Sequence, residues 1–418
     1  MLVSFSVSNF RSFKEEVHFS MEAKKAYTEL PQNVLQEGKN RLLRSAVVYG
    51  ANASGKSNLF QALNFVSKLI WSAPDYQRVG VWHESFRLSE SADLQPTRFQ
   101  YHFIREKTEF LYDLELEKDR VTNEVLRFKP KGQMALLYER KGSDVEFGPY
   151  FKNQDVIKNW VKRPENQQRL VLIIAGQLGI NHVQQAYQEM ETMFFWDQAH
   201  WDISNEQGES RFLELLHKNK TTPLFDVYQK LLKSLDVGIQ DIEIEEHKNE
   251  ATGQSQFRLT TFRQRNRKDG KVDKVPFGVF SESIGTQTMM TLALPILEAL
   301  IRGFTIIIDE IDRSLHPDIV EYLIRLFHDP AINTRNAQLI CTSHNVLLMK
   351  NDLLRRDQIW MVEKDETGAS QLFSLGEVGG LKKEMPLSKF YLAGKLGGTP
   401  IINDLEFKKT LYGSQVPA

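Results

Sequence analysis

One eight-residue stretch limits the fold of this 418-residue chain more than any other. Residues 50–57 read Gly-Ala-Asn-Ala-Ser-Gly-Lys-Ser. Before them, Ser45-Ala46-Val47-Val48-Tyr49 is a short continuous apolar run, suited to a strand buried on both faces. After them, Leu59, Ala62, Leu63, Val66, Leu69 and Ile70 recur at helical spacing. A strand, a glycine-rich turn and a helix in that order bring backbone N–H groups and a helix N-terminus together on a phosphate. Gly50 and Gly55 allow the loop, with Asn52, Ser54 and Asn58, to wrap the anion. Lys56 supplies a cation for the β and γ oxygens, and the Ser57 hydroxyl is a ligand for Mg²⁺.

A second acidic feature fits the first. Residues 304–308 are an apolar run that ends in Asp309-Glu310, the layout of a buried strand with carboxylates at its ligand-binding end. Asp309 is the expected Mg²⁺ holder, and Glu310, one residue on, the group that orients the attacking water. The lysine and the aspartate are about 250 residues apart, which points to a core interrupted by inserted modules and argues against a small GTPase. Upstream, Ser283 in 282–287 is a good N-cap for a helix running to about Arg302; with Gly285 it reads either as a capped core helix or as an anion site. Pro295 implies a kink or break in that helix. In the polar loop after Glu310, Asp312 and Ser314 suit a subunit seam or simple capping. Residues 337–344 read as another buried strand, ending in His344, either a γ-phosphate sensor or a structural histidine.

The rest of the chain falls into three stretches. Residues 1–150 hold the phosphate loop, a strand–turn–strand over 2–19, and an alternating pattern over 98–147 that predicts an antiparallel meander. Residues 151–240 carry helical spacing, with Trp196 and Trp201 between, and predict a helical insertion; the apolar run at 170–175 reads as a buried strand. In 241–418, Lys268-Asp269-Gly270-Lys271 signals a hairpin before α/β alternation resumes. Composition is that of a folding chain, 41% hydrophobic and 26% charged. No apolar run approaches bilayer length, so no membrane association is expected. With Cys341 the single cysteine and no basic leader at the N-terminus, a cytoplasmic setting is expected. A formal net charge of -1 gives no long-range attraction for nucleic acid, although Arg263, Arg265, Arg267 and Lys268 form either a local basic face or a solvated hairpin tip.

Taken in order, these pieces resemble the ABC-type ATPases related to SMC proteins and RecF, and especially the stand-alone AAA-family ATPases of bacterial phage-defence and abortive-infection operons. Residues 5–13, Phe-Ser-Val-Ser-Asn-Phe-Arg-Ser-Phe, look like that group's N-terminal strand motif, and 282–287, Glu-Ser-Ile-Gly-Thr-Gln, like its signature motif without a second adjacent glycine. The tail from Leu354 to Pro400 is similar to the C-terminus of defence ATPases that neighbour an RloB-type nuclease. The resemblance implies an α/β fold, an ABC-type P-loop NTPase head with an antiparallel β portion and a helical insertion. It implies ATP and Mg²⁺ as ligands and ATP hydrolysis as the reaction. Ser283 and Gly285 would face the γ-phosphate held by Lys56 of a second copy, giving an ATP-dependent homodimer, with Asp312 as the D-loop aspartate and His344 as the switch histidine. Gln95 and Gln100 are candidates for the Q-loop glutamine. The implied role is a sensor or regulatory ATPase of anti-phage defence acting on an effector nuclease; the alternative is a RecF-like repair ATPase on duplex DNA. That the chain is itself the nuclease ranks lowest, since no ligand cluster lies outside the ATPase residues.

Overall fold

The computed structural model describes the chain apart from positions 91, 93–94, 198–200, 204, 236–237, 249–254, 401–407, 409 and 411–418. A six-stranded sheet lies at its centre, in the order Phe194–Trp196, Thr305–Ile308, Gln338–Thr342, Ser45–Tyr49, Ile359–Lys364, Ser370–Ser374. The first five are parallel and the last is antiparallel. Every residue of Ser45–Tyr49, Thr305–Ile308 and Gln338–Thr342 is buried, as continuous apolar strands covered on both faces must be. The register pairs Ile308 with Cys341 and Cys341 with Val47, so the three strands end at one edge. Asp309, His344 and Gly50 therefore follow their strands on the same side of the sheet, where α/β folds bind ligands.

A seven-stranded antiparallel sheet packs beside it, formed by the meander strands from Thr97 to Phe147 and closed by Leu2–Ser8 and Val17–Ser20. Its inner face alternates with solvent along Thr97–Arg105 and packs on the helices that follow the phosphate loop. The Phe65 and Phe99 rings stack at 4.7 Å, and the Tyr101 hydroxyl donates to the Ala62 carbonyl at 2.9 Å. The third sheet, Asp241–Lys248, Ser255–Asn266 and Val272–Gly278, turns at Gly270 (φ +77°), where the sequence signals a hairpin.

Between 151 and 240 the chain is largely helical, with two corrections. The run at 170–175 is not a strand: Val171–Gln177 is a buried helix. A short apolar run carries no period that separates the two, and here the buried Glu124 carboxylate decides by accepting from the Val171 and Leu172 N–H groups at 2.8 Å each. Secondly, Phe194–Trp196 is a true strand that joins the edge of the central sheet against Thr305–Ile308. The helix Ile284–Arg302 is continuous through Pro295. Its 19 residues are long and apolar enough to cross a membrane, contrary to the expectation that no run reaches that length, yet 72% of that stretch is buried inside the protein. It is a core helix, tied within its length by the Tyr228 hydroxyl, which donates to Met290 O at 3.0 Å.

Candidate functional site

The phosphate loop has the shape its sequence requires. Gly55 stands at φ +118° as the N-cap of Lys56–Leu63, and a Cβ there would collide with the hydroxyls of Ser370 and Ser12. A Cβ on Gly50 would run into the Val362 carbonyl oxygen and stand 2.6 Å from Ser54 Oγ. Lys56 is buried at 6% exposure, and its ammonium donates to the Gly50 and Ala51 carbonyls at 2.9 Å each. Burial pulls its pKa down, while Asp309, Glu310 and Asp312 push it back up, so all three carboxylates are within electrostatic reach of the lysine. Ser54 is buried, with its hydroxyl unpartnered among the described residues. An orphaned buried hydroxyl and a lysine turned onto its own loop's carbonyls fit a cradle that takes an anion. Asn52 and Ser57 are exposed at the mouth. Asn58 faces elsewhere, its amide donating to Ser12 Oγ at 2.8 Å.

At the end of the neighbouring strand one hydroxyl organises both acids. Thr342 Oγ1 donates to Asp309 Oδ1 at 2.6 Å and accepts the Glu310 N–H at 2.6 Å. The Asp309 N–H is held by the Trp196 carbonyl at 3.1 Å. Glu310 sits at φ +54°, a left-handed conformation that costs a non-glycine residue about 1 kcal/mol or more. Its side chain is 42% exposed, with Arg313 Nη1 at 3.4 Å from Oε2. The next loop is joined to the histidine segment, since Asp312 Oδ2 accepts the His344 N–H at 3.1 Å and the imidazole is exposed. Among the described residues no three His, Cys, Asp or Glu side chains form a ligand cluster. A site with one carboxylate, one serine hydroxyl and substrate phosphates suits Mg²⁺, which keeps waters and needs few protein oxygens.

Ser283 and Gly285 are not in this cradle. Ser283 caps its helix, accepting the Thr286 N–H at 3.1 Å. The Gly285 backbone lies so near the loop after Glu310 that a Cβ would be 2.5 Å from the Ser314 carbonyl oxygen. Both line an open pocket of about 370 Å³ with Arg263, Thr286, Ser314 and His316, and none of residues 50–58 reaches it. Within one chain, the turn at 283–285 and the phosphate loop lie apart.

Neither glutamine candidate meets the cradle residues. Gln100 lies in the antiparallel sheet, its amide donating to Asp113 at 2.7 Å, and the Gln95 carbonyl accepts from Asn9 at 2.6 Å. The element that does arrive beside Asp309 is Phe194–Trp196, followed by Asp197. Three residues that sequence patterns did not single out support the site: Thr342, Ser12 and Ser370. The Ser370 hydroxyl reaches Ser12 Oγ at 2.8 Å and the Ser54 carbonyl, so the last strand of the sheet braces the loop. Only spatial contact marks Ser370. The hairpin arginines are neutralised: Arg263 pairs with buried Glu282, Arg265 with Asp273 at 3.0 Å, and Arg267 with Asp269 and Asp273.

Over residues 45–350, more than half of its length, the chain matches the family described as "AAA domain, putative AbiEii toxin, Type IV TA system". The chain belongs to this AAA family. Its phosphate loop is thus that of a P-loop ATPase family, and nucleotide binding goes with it. No curated protein matches the AAA chain. Among solved structures it is similar to the SMC head domain from Thermotoga maritima, at 13% identity and TM-score 0.43, covering 89% of this chain and 98% of that one. It is also similar to the Smc head domain with a coiled coil and joint from Pyrococcus yayanosii, at 12% identity and TM-score 0.43, covering 94% and 99%.

Proposed function

We propose that the protein hydrolyses ATP with Mg²⁺ and that two copies complete each other's sites, Ser283 and Gly285 of one facing the phosphate bound to Lys56 of the other. The observation that carries this reading is the split itself: a complete cradle with its acids, and a signature turn in a separate open pocket. Bound Mg²⁺, held by Ser57 and Asp309, would supply charge neutralisation to the phosphates. Lys56 exchanges the carbonyls of its own loop for phosphate oxygens, and the Ser54 hydroxyl gains its missing partner. Thr342 fixes the spacing of the two acids. Glu310 swings from Arg313 to orient the water; as the water oxygen bonds to the γ-phosphorus, the bond to the bridging oxygen breaks, ADP leaves with that electron pair, and Glu310 takes the proton. Asp312 and His344, tied through a backbone bond, report the γ-phosphate to the seam between copies.

The role we infer is a sensor or regulatory ATPase in anti-phage defence that controls a partner effector nuclease in the cytoplasm. The family description, with its toxin–antitoxin reference, supports that class of role. The chemical part is tested by ATP turnover of the purified chain with and without Mg²⁺, and by ATP affinity of Lys56→Ala. Loss of the lysine is expected to weaken binding on the order of a hundredfold; equal affinity in the variant would remove the assignment.

A further inference from the structure

The C-terminal segment 386–400 lies against the site although no step above uses it. Leu387–Leu392 is a short helix packed on residues 346–348, just past His344. The chain then turns through Gly394, Gly397 and Gly398, at φ +71°, +73° and +67°, with Leu396 buried among them. At Gly398 it packs against the phosphate loop: a Cβ there would be in van der Waals contact with the Gly50 Cα at 3.4 Å and Met361 Sδ at 3.6 Å. Gly397 is placed more tightly, a Cβ there lying 2.6 Å from Glu363 Oε2, the end of a side chain. Two bonds fix the turn: the Gly398 N–H donates to Glu363 Oε2 at 3.1 Å, and the Tyr391 hydroxyl donates to the Gly398 carbonyl at 3.0 Å. Tyr391 is 8% exposed, and its ring lies 6.1 Å from that of Tyr49, the residue just before Gly50.

Left-handed glycines, at a φ that other residues adopt only with strain, tied down by a buried hydroxyl, make a well-defined turn. It packs on the back of the first glycine of the loop, from which the inward N–H groups start. We propose that Tyr391 is a positioning residue for nucleotide: it clamps the turn at Gly397 and Gly398 onto Gly50 and so sets the shape of the phosphate loop. Linkage makes the effect reciprocal, so bound nucleotide steadies the 386–400 segment in turn. The inference rests on the reading of residues 50–57 as the nucleotide site.

The test measures affinity for a slowly hydrolysed ATP analogue with Mg²⁺, together with maximal ATP turnover and the melting midpoint without nucleotide. The full chain is compared with Tyr391→Phe, Gly398→Ala, Lys395→Ala and Lys56→Ala. Tyr391→Phe, which loses one hydroxyl bond, is expected to bind about threefold to tenfold more weakly at unchanged maximal turnover, and Gly398→Ala at least as weakly. Lys395→Ala, an exposed position on the same turn, is expected to bind like the parent chain. Hydrogen exchange of 386–398 is expected to slow on nucleotide binding in the parent chain and not in Lys56→Ala. Parent-like affinity in both Tyr391→Phe and Gly398→Ala overturns the proposal, as does a loss of turnover or melting midpoint with affinity kept. A parent chain that binds no nucleotide, and so matches Lys56→Ala, sinks the underlying site assignment as well.

Discussion

The two ends of the central sheet are built from the same strands and treated in opposite ways. At the N-terminal end, most buried polar side chains are paired, although Arg44 Nε and Asn33 Oδ1 have no partner among the described residues. The Ser45 hydroxyl meets His328 Nε2 at 2.7 Å, and Gln358 Nε2 donates to the Ser45 carbonyl and hydroxyl at 2.9 Å each. Gln338 exchanges bonds with Leu2 and reaches Leu43 and Thr305. At the C-terminal end, Ser54 Oγ is buried without a partner, Lys56 is turned onto its own loop, and Glu310 is half-exposed at a left-handed φ. The first end spends its polar groups on holding the strands in register; the second keeps them in reserve for a ligand.

Substitutions can sharpen that contrast. The largest effect is expected at the open end: Glu310→Gln keeps shape and lowers ATP turnover about a hundredfold to a thousandfold, with nucleotide still bound and melting midpoint unchanged. Its measurement is steady-state phosphate release beside a binding titration. The closed end should instead respond to acid. Burial, with Arg325 and Arg44 nearby, pushes the His328 pKa down to about 3. The unfolded chain takes up this proton from about pH 6.5 downward while the folded one does not, so stability present at neutral pH is lost as pH falls through that window. Between pH 7 and pH 4.5 this one group should cost about 2–3 kcal/mol. Denaturant titrations should show that pH-dependent increment disappearing in His328→Gln, whatever its baseline stability.

A smaller effect is expected where the two characters meet. Thr342 is a wholly buried strand residue whose hydroxyl serves both acids, so Thr342→Val should keep the fold and lower turnover about tenfold, with a stability loss of about 1–2 kcal/mol. Equal turnover would separate Thr342 from the site. The smallest is at the hairpin: Arg265→Ala breaks an exposed pair and should change stability by less than about 1 kcal/mol, and duplex DNA affinity not at all. A steep salt dependence of DNA binding that the variant reduces would revive the RecF-like alternative.

What the sequence reveals follows from how local the determining physics is. The phosphate loop, the run into Asp309 and Glu310, and the turn at Gly270 are set within a few residues, and each stands in the structure where its pattern predicts. The run at 170–175 is a helix because Glu124, far away in the chain, caps it. Phe194–Trp196 is too short to show a period and becomes a strand only by pairing with Thr305–Ile308. Ser370 braces the loop across more than three hundred residues of sequence, and Gly398 approaches Gly50 from the far end of the chain. Such contacts leave no periodic trace, since no neighbouring residue shares the constraint.

Complementation of two inactive chains tests the shared site most directly. Lys56→Ala removes the cradle and Ser283→Arg blocks the signature turn, so each alone should be inactive. In a mixed dimer, the cradle of the Ser283→Arg chain would face the intact turn of the Lys56→Ala chain, and mixing equal amounts should restore ATP turnover to as much as about a quarter of the parent rate. A mixture as inactive as its parts, or a Ser283→Arg chain that turns over ATP at the parent rate as a single copy, would contradict the account.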